Sequence, residues 1–351
     1  MQVDGNEVKN SHLRHNKSIL TKGAIKMSIK AIKVEYFTVF KNMEVEITPG
    51  INIFIGENGT GKTHLLKLVY AANTIYSTNY MYNIHDLFGN KFRLGGCRFV
   101  INGDDSHTWT LAGTSTPSQT TLHPTKSYVH VDIDAKTSTV FIPAKEFLSM
   151  PNIIWVAEEY KNSLNLDVTI TDIIKKAQNM IPDSISEFAL SIAHKIENLI
   201  DGKVFFDEKD KTFWIHKNNG DKFPFTSEAE GFRKWGLLWQ LIMNKSITKG
   251  SVLLWDEPEA NLSRIDTSSL VDILLELSRH DVQIFLATHD YNLMKYFSIK
   301  TKPNDNVMFH SLYKTEDGVA CESDVDYDLL EHNAIIDANT KLLEDDIEGV
   351  L

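Results

Sequence analysis

Eight consecutive residues, Gly56-Glu57-Asn58-Gly59-Thr60-Gly61-Lys62-Thr63, have the spacing G-x-x-x-x-G-K-[ST] that cradles a polyphosphate. Glycines let backbone N–H groups close around the phosphates, and a helix start behind them adds partial positive charge. Lys62 in such a loop reaches the β- and γ-phosphates, while the Thr63 hydroxyl holds Mg²⁺. Gly56, Asn58, Gly59, Thr60, Gly61, Lys62, Thr63 and His64 are therefore the candidate stretch for binding a nucleoside triphosphate. A second run, Ser251-Val252-Leu253-Leu254-Trp255-Asp256-Glu257-Pro258, is apolar until it ends in two carboxylates. A strand-end aspartate holds Mg²⁺ in phosphate-loop enzymes, so Asp256 joins Thr63 as a metal candidate. Glu257 beside it is the candidate general base for an attacking water. A third run, Val282 to Asp290, ends in His289, whose imidazole can contact a γ-phosphate and orient that water. Lys62, Glu257 and His289 thus form the candidate catalytic set.

These groups need elements that bring them together. Ile51-Asn52-Ile53-Phe54-Ile55 reads as a buried strand feeding the glycine loop, and Leu65, Leu66, Leu68, Val69 and Ala72 recur behind it at helical spacing. From Val252 onward strand and helix alternate: Val252–Trp255, Ile265–Leu277, Val282–Leu286 and Met294–Phe297. That alternation predicts a parallel α/β sheet, completed by Val307–Leu312. Before the loop, Ile32, Val34 and Tyr36, then Met43, Val45 and Ile47, alternate with polar residues as antiparallel strands do, with a turn expected near Lys41-Asn42. Further strands are predicted at Cys97–Ile101, Trp109–Leu111, Tyr128–Ile133 and Thr139–Ile142. Residues 146–201 switch to helical spacing, with helices near Ile170–Met180 and Ile185–Ile200. A hairpin follows, Val204–Phe206 with Phe213–Ile215, and then a helix at Gly231–Met243.

The composition is that of a soluble globular chain: 351 residues, 42% hydrophobic and 24% charged. No apolar stretch reaches the length of a membrane span, and Cys97 and Cys321 stand far apart, so a reducing cytoplasmic setting without a membrane partner is expected. Residues 1–26 read as a disordered leader or tag. The net charge of −11 is concentrated in residues 315–351, which hold 12 acidic residues and one basic residue, Lys341. This acidic C-terminal segment reads as an exposed, solubilising tail or as a docking segment for a basic partner. Its Asp324, Asp326 and Asp328 mimic a metal cluster, although a plain acidic tail is the simpler reading.

The order of the three runs resembles the ABC-class ATPases, and within them the soluble RecF-like and OLD-like branch. The resemblance rests on Gly56–Thr63, Asp256-Glu257-Pro258-Glu259 and Ala287-Thr288-His289-Asp290, with Ile32-Lys33-Val34-Glu35-Tyr36-Phe37 and Pro49-Gly50-Ile51-Asn52 at the start. It implies an α/β fold: a P-loop NTPase of the ABC-head type, with an antiparallel β subdomain, a parallel-sheet core and a short helical insertion. The ATPase domain would span 27–314, with the insertion at about 146–201. The family sandwiches ATP and Mg²⁺ between two heads, and a signature segment of one head caps the nucleotide of the other. The candidate signature is Thr226–Gly236, with Gly231 and Arg233 as the trans contacts and Lys234 as a further charge. It departs from the family's Leu-Ser-Gly-Gly pattern. A plain amphipathic helix with a Ser227–Glu230 capping box is the other reading. Lys145 lies where the family places its Q-loop, but no glutamine is present, and Ser263-Arg264 replaces the His-Pro of the family's D-loop.

The resemblance extends to the compact ATPases of prokaryotic antiphage systems, including the PARIS and Septu types. There a homodimer or larger homo-oligomer controls a separately encoded nuclease or toxin effector. The chain is expected to lack a nuclease of its own, since 62 residues follow His289. The other expectation is a RecF-like repair ATPase that clamps DNA in its ATP-bound dimer.

Overall fold

The computed structural model describes residues 29–78, 87, 97–102, 108–115, 120–124, 138–150 and 167–350. The proposed leader and the strand expected at Tyr128–Ile133 lie outside the described residues. Strands β3 (Ile51–Ile55), β11 (Val252–Asp256) and β12 (Gln283–Ala287) are almost wholly apolar, as strands covered on both faces must be. They belong to a six-stranded sheet of order β14-β13-β3-β12-β11-β7, with β7 at Thr139–Ile142, β13 at Val307–Thr315 and β14 at Gly318–Asp324. All neighbours in it are parallel except β13 and β14. The expected α/β architecture is present.

Alternate residues feed two cores. Ile51, Ile53, Ile55, Leu253, Trp255, Ile284 and Leu286 pack on one face of the sheet, and Phe54, Val252, Leu254, Phe285 and Ala287 on the other. The second face is covered by α1 (Lys62–Thr78) and by a five-stranded antiparallel sheet of order β2-β1-β4-β5-β6. Its strands are β1 (Ala31–Phe37), β2 (Phe40–Glu46), β4 (Cys97–Asn102), β5 (Thr108–Ser115) and β6 (Thr120–Pro124). The first face carries α2 (Val168–Ala177), α3 (Glu187–Ile200), α4 (Glu230–Met243), α5 (Arg264–Arg279) and α6 (Tyr291–Lys300). A three-stranded antiparallel sheet, β8 (Gly202–Asp207), β9 (Thr212–Lys217) and β10 (Lys222–Pro224), joins α3 to α4. The expected helices and hairpin of this lobe coincide with α2, α3, α4, β8 and β9.

Two expectations need correction. The β1–β2 turn falls at Thr38-Val39, not Lys41-Asn42, because Phe37 pairs directly with Phe40. Tyr36, read as facing the core, takes a φ of 52° and stands 70% exposed, while Phe37 is buried in its place. The acidic segment is also not a tail from residue 315. β14 pairs with β13 along its length through Val319, Cys321 and their neighbours, and α7 (Ala334–Val350) follows it. Val319 and Tyr327 are buried, so the apolar residues dispersed among the acids anchor this part to the body.

Candidate functional site

The glycine loop crosses from β3 to α1, and two glycines explain why it closes so tightly. Gly56 has a φ of 141°, and a Cβ there would meet the Leu312 carbonyl oxygen at 2.2 Å. Gly61 has a φ of 89°, and its Cβ would fall 2.7 Å from the Phe40 ring. Any side chain at either place would open the loop. The N–H groups of Lys62 and Thr63 belong to the first turn of α1, where a helix offers no acceptor of its own. His64 packs edge-on to Phe37, with ring centroids 6.4 Å apart. Burial, followed by the charge of Lys67, lowers its pKa and keeps the ring neutral. Its side chain is thus part of the wall.

Strand order then places the other runs. β12 lies between β3 and β11, so the ends of all three strands open on one edge, where Thr63, Asp256, Glu257 and His289 meet. The Thr63 Oγ1 donates to the Asp256 carboxylate, 3.0 Å from Oδ1 and 2.8 Å from Oδ2. Burial raises the Asp256 pKa, opposed by that hydrogen bond. Lys62 is 9% exposed, and its Nζ donates to the carbonyls of Gly56 at 2.7 Å and Glu57 at 3.0 Å. Burial lowers its pKa, and Asp256, Glu257 and Glu259 oppose that shift. The amine is thereby held over the loop.

Glu257 has a φ of 45°, a left-handed conformation that costs an ordinary residue about 1–2 kcal/mol. The turn that demands it fastens the Glu257 N–H to the Ala287 carbonyl at 2.8 Å. Its Oε1 lies 3.3 Å from the His289 Nδ1, and the His289 side chain is 58% exposed. Carboxylate and imidazole therefore share one open position beside the loop. A hydroxyl and a carboxylate converging on one point form the hard-oxygen donor set that Mg²⁺ accepts. Thr63 and Asp256 would hold that ion, which when bound supplies charge to neutralise the phosphates.

Around this centre lie residues that sequence reasoning passed over. Thr288, fully buried, donates through Oγ1 to the Glu259 Oε1 at 2.7 Å and fixes the second acid of the Glu257-Pro258-Glu259 turn. Lys314, at the end of β13, pairs at 2.7 Å with the Glu57 carboxylate, lowering its pKa and offsetting a negative charge at the mouth of the loop. Neither partner is adjacent in sequence, so only the sheet order reveals them.

Lys234, expected as a further charge of the signature segment, is the most consequential residue around this centre. It is 2% exposed, and its Nζ donates to the carbonyls of Glu257 at 3.0 Å and Ala260 at 2.6 Å. Its helix, α4, is thereby tied to the turn that carries the candidate base. Burial lowers the Lys234 pKa from 10.5 to about 8, opposed by Glu259 and then Glu230. The unfolded lysine keeps its proton to about pH 10, so between the two values the unfolded chain binds more protons. This group's contribution to stability therefore grows as pH rises from about 8 to 10.5. A Lys234→Met variant should lose that rise in a comparison of urea midpoints across the window. An identical pH dependence in both proteins would show that the amine is not titrating there.

The signature candidate is only partly as expected. The N-cap of α4 is Ala229, with no side-chain cap, and Ser227 closes a short 3₁₀ turn. The Ser227–Glu230 capping box does not form: Ser227 lies two residues before the cap, and the Glu230 Oε1 accepts from the Asn261 Nδ2 at 2.8 Å. Gly231 sits against the same turn, where a Cβ would be 3.0 Å from the Asn261 carbonyl oxygen. Arg233, expected to offer charge to a second copy, is engaged within its own chain. Its Nε lies 3.1 Å from the Glu146 Oε2, and Nη1 donates to the Phe225 carbonyl at 3.2 Å. The Glu146 side chain has no exposure; burial raises its pKa, and the Arg233 charge beside it opposes that shift. Arg233→Ala should cost about 3 kcal/mol of unfolding free energy. A loss within error of zero in a urea titration would contradict this bracing role. Lys145, beside Glu146, is exposed at the end of the sheet's edge strand β7, three strands from β3.

Comparison with solved structures decides the fold. An Smc head domain from Pyrococcus furiosus, crystallised with an extended coiled coil and bound to the C-terminal domain of ScpA, superposes with a TM-score of 0.52. The alignment covers 91% of this chain and 99% of that one at 10% identity. The fold is that of an Smc head domain. A family described as "AAA domain, putative AbiEii toxin, Type IV TA system" matches residues 142–295, the stretch from β7 to α6. DNA replication and repair protein RecF of Heliobacterium modesticaldum is 44% identical over 43 residues, 12% of each chain. RecF of Idiomarina loihiensis is 32% identical over 80 residues, 23% of this chain and 19% of that protein. The matching stretches thus span under a fifth of these curated relatives. No helix among the described residues is long and apolar enough to cross a membrane.

Proposed function

We propose that this chain binds and hydrolyses ATP with Mg²⁺, pairs with a second copy around the nucleotide, and uses that cycle to control a separate effector. The observation that carries the first part is the convergence of Lys62, Thr63, Asp256, Glu257 and His289 on one edge of the parallel sheet. Lys62 exchanges its two carbonyl partners for phosphate oxygens, and Thr63 and Asp256 bind the metal. Glu257 receives the proton of the attacking water, and His289 holds the carboxylate in place from its open side. Pairing is supported by the uncapped start of α4: its N–H groups, with Gly231, are available to the γ-phosphate of another copy. Lys234 connects that helix to the Glu257 turn, so closure of a pair at one nucleotide bears directly on the base at the other.

For the nature of the effector, the support is the toxin–antitoxin description of the family matched over residues 142–295. It favours a cytoplasmic antiphage role, with a nuclease or toxin as the controlled partner. The RecF matches favour the second reading, a DNA clamp. Measuring DNA binding in ATP against salt separates them. A clamp should hold duplex DNA with a steep salt slope, whereas an effector-controlling ATPase should show no ATP-dependent retention. Retention that persists only with ATP would overturn the effector reading.

A further inference from the structure

α7 begins against the body and ends in solvent. Ile335 is buried, Ile336 packs on the core, and the Asn333 side chain donates to the Tyr327 carbonyl at 2.8 Å. From Thr340 to Gly349 every residue is exposed, including Leu342, Leu343 and Ile347 at 64%, 60% and 63%. Ile335, Ala338, Asn339 and Leu342 form one stripe, and this stripe is the wall of a groove of about 430 Å³. Gly56, Glu57, Asn58 and His289 form the opposite wall. The exposed half of α7 therefore continues the rim of the nucleotide site. Leu343 and Ile347, four residues apart, share a face that stands largely exposed among the described residues. Glu344, Asp345, Asp346 and Glu348 surround them with negative charge.

On the other functional face of the same chain, the first turn of α5 holds one basic and one acidic residue, Arg264 and Asp266. Beside Asn261 and Gly231, at the start of α5, Arg264 and Ile265 are exposed, with Ile265 at 84%. A two-fold pair that seats the signature of one copy on the phosphate loop of the other brings these two faces together twice. An acidic, apolar helix end then meets an exposed arginine and isoleucine. We infer that the free half of α7 is a clasp for a second copy of this chain: Leu343 and Ile347 of one copy seat against Arg264 and Ile265 of the other beside the shared ATP. The inference rests on the paired-head reading above. It accounts for an exposed leucine and isoleucine held next to the nucleotide, where a solitary head would expose them to no purpose.

The test uses the full chain carrying Glu257→Gln, with Cys97 and Cys321 replaced by serine, in ATP and Mg²⁺. Adding Ile265→Cys and Leu343→Cys together and treating with a short bis-maleimide should give a covalent dimer in ATP and none in ADP. Leu343→Asp with Ile347→Asp should raise the midpoint concentration of dimerisation about tenfold or more, with the ATP affinity of each chain unchanged. Arg264→Glu should weaken the dimer likewise, and Glu344→Lys, Asp345→Lys and Asp346→Lys introduced with it should restore the dimer. An ATP-dependent dimer with an unchanged midpoint and no cross-link would overturn the clasp and leave the paired head standing. A parent variant that binds ATP yet stays monomeric at all concentrations would remove the paired head, and the clasp with it.

Discussion

Glu257→Gln is expected to slow phosphate release from ATP by about 10²–10⁴-fold, the range lost with a general base, while ATP binding survives. The amide has the shape of the carboxylate and can keep a contact with the His289 Nδ1, now 3.3 Å from Oε1. It cannot take a proton from water. Affinity should persist because the loop's N–H groups and Lys62 do the binding, and Asp256 and Glu259 still oppose the effect of burial on the Lys62 amine. The expected signature is a protein that holds unhydrolysed ATP and, on a sizing column with light scattering, accumulates as a pair. Wild-type turnover in this variant would remove Glu257 from the chemistry and leave the left-handed turn at φ 45° without a functional reason.

Lys62→Ala should have the complementary effect, a loss of ATP affinity and turnover of about 10²–10³-fold, the scale of one lost donor to a developing oxyanion. In the nucleotide-free chain the amine only bridges the carbonyls of Gly56 and Glu57. The fold, set by the two cores on either side of the sheet, does not require it. Titration with a fluorescent ATP analogue, together with a thermal melt, separates the two: affinity should collapse while melting stays near wild type. Retained affinity would contradict the assignment of the loop. A collapsed melt without ATP would mean instead that the amine is a structural clamp.

The sheet and its chemistry were legible in the sequence because each has a strong local signal. Three apolar runs, each ending in polar residues with functional chemistry, are strands buried on both faces whose ends share an edge. The helices between them have clear periodicity, and those of the insertion lobe match α2, α3 and α4. What was not legible depends on contacts across long stretches of chain. Tyr36 fits the alternating pattern as well as any core residue, and only its positive φ turns it outward and puts Phe37 inside. The acids after residue 315 suggested a tail, since charge dominates the composition there. A few apolar residues, Val319, Tyr327 and Ile335 among them, are enough to anchor β14 and α7. Arg233 and Lys234 looked equally available for a phosphate. Their roles divide because Glu146, far away in sequence, is buried and takes the arginine, whereas Lys234 meets the carbonyls of Glu257 and Ala260.

The most direct measurement is a crystal structure of the Glu257→Gln chain grown with ATP and Mg²⁺. It should show the Lys62 amine moved from the Gly56 and Glu57 carbonyls onto the β- and γ-phosphates, the metal between the Thr63 hydroxyl and the Asp256 carboxylate, and residue 257 and His289 beside the terminal phosphate. A nucleotide bound elsewhere, or a Lys62 amine still resting on its two carbonyls with ATP present, would contradict the assignment on which every functional statement depends.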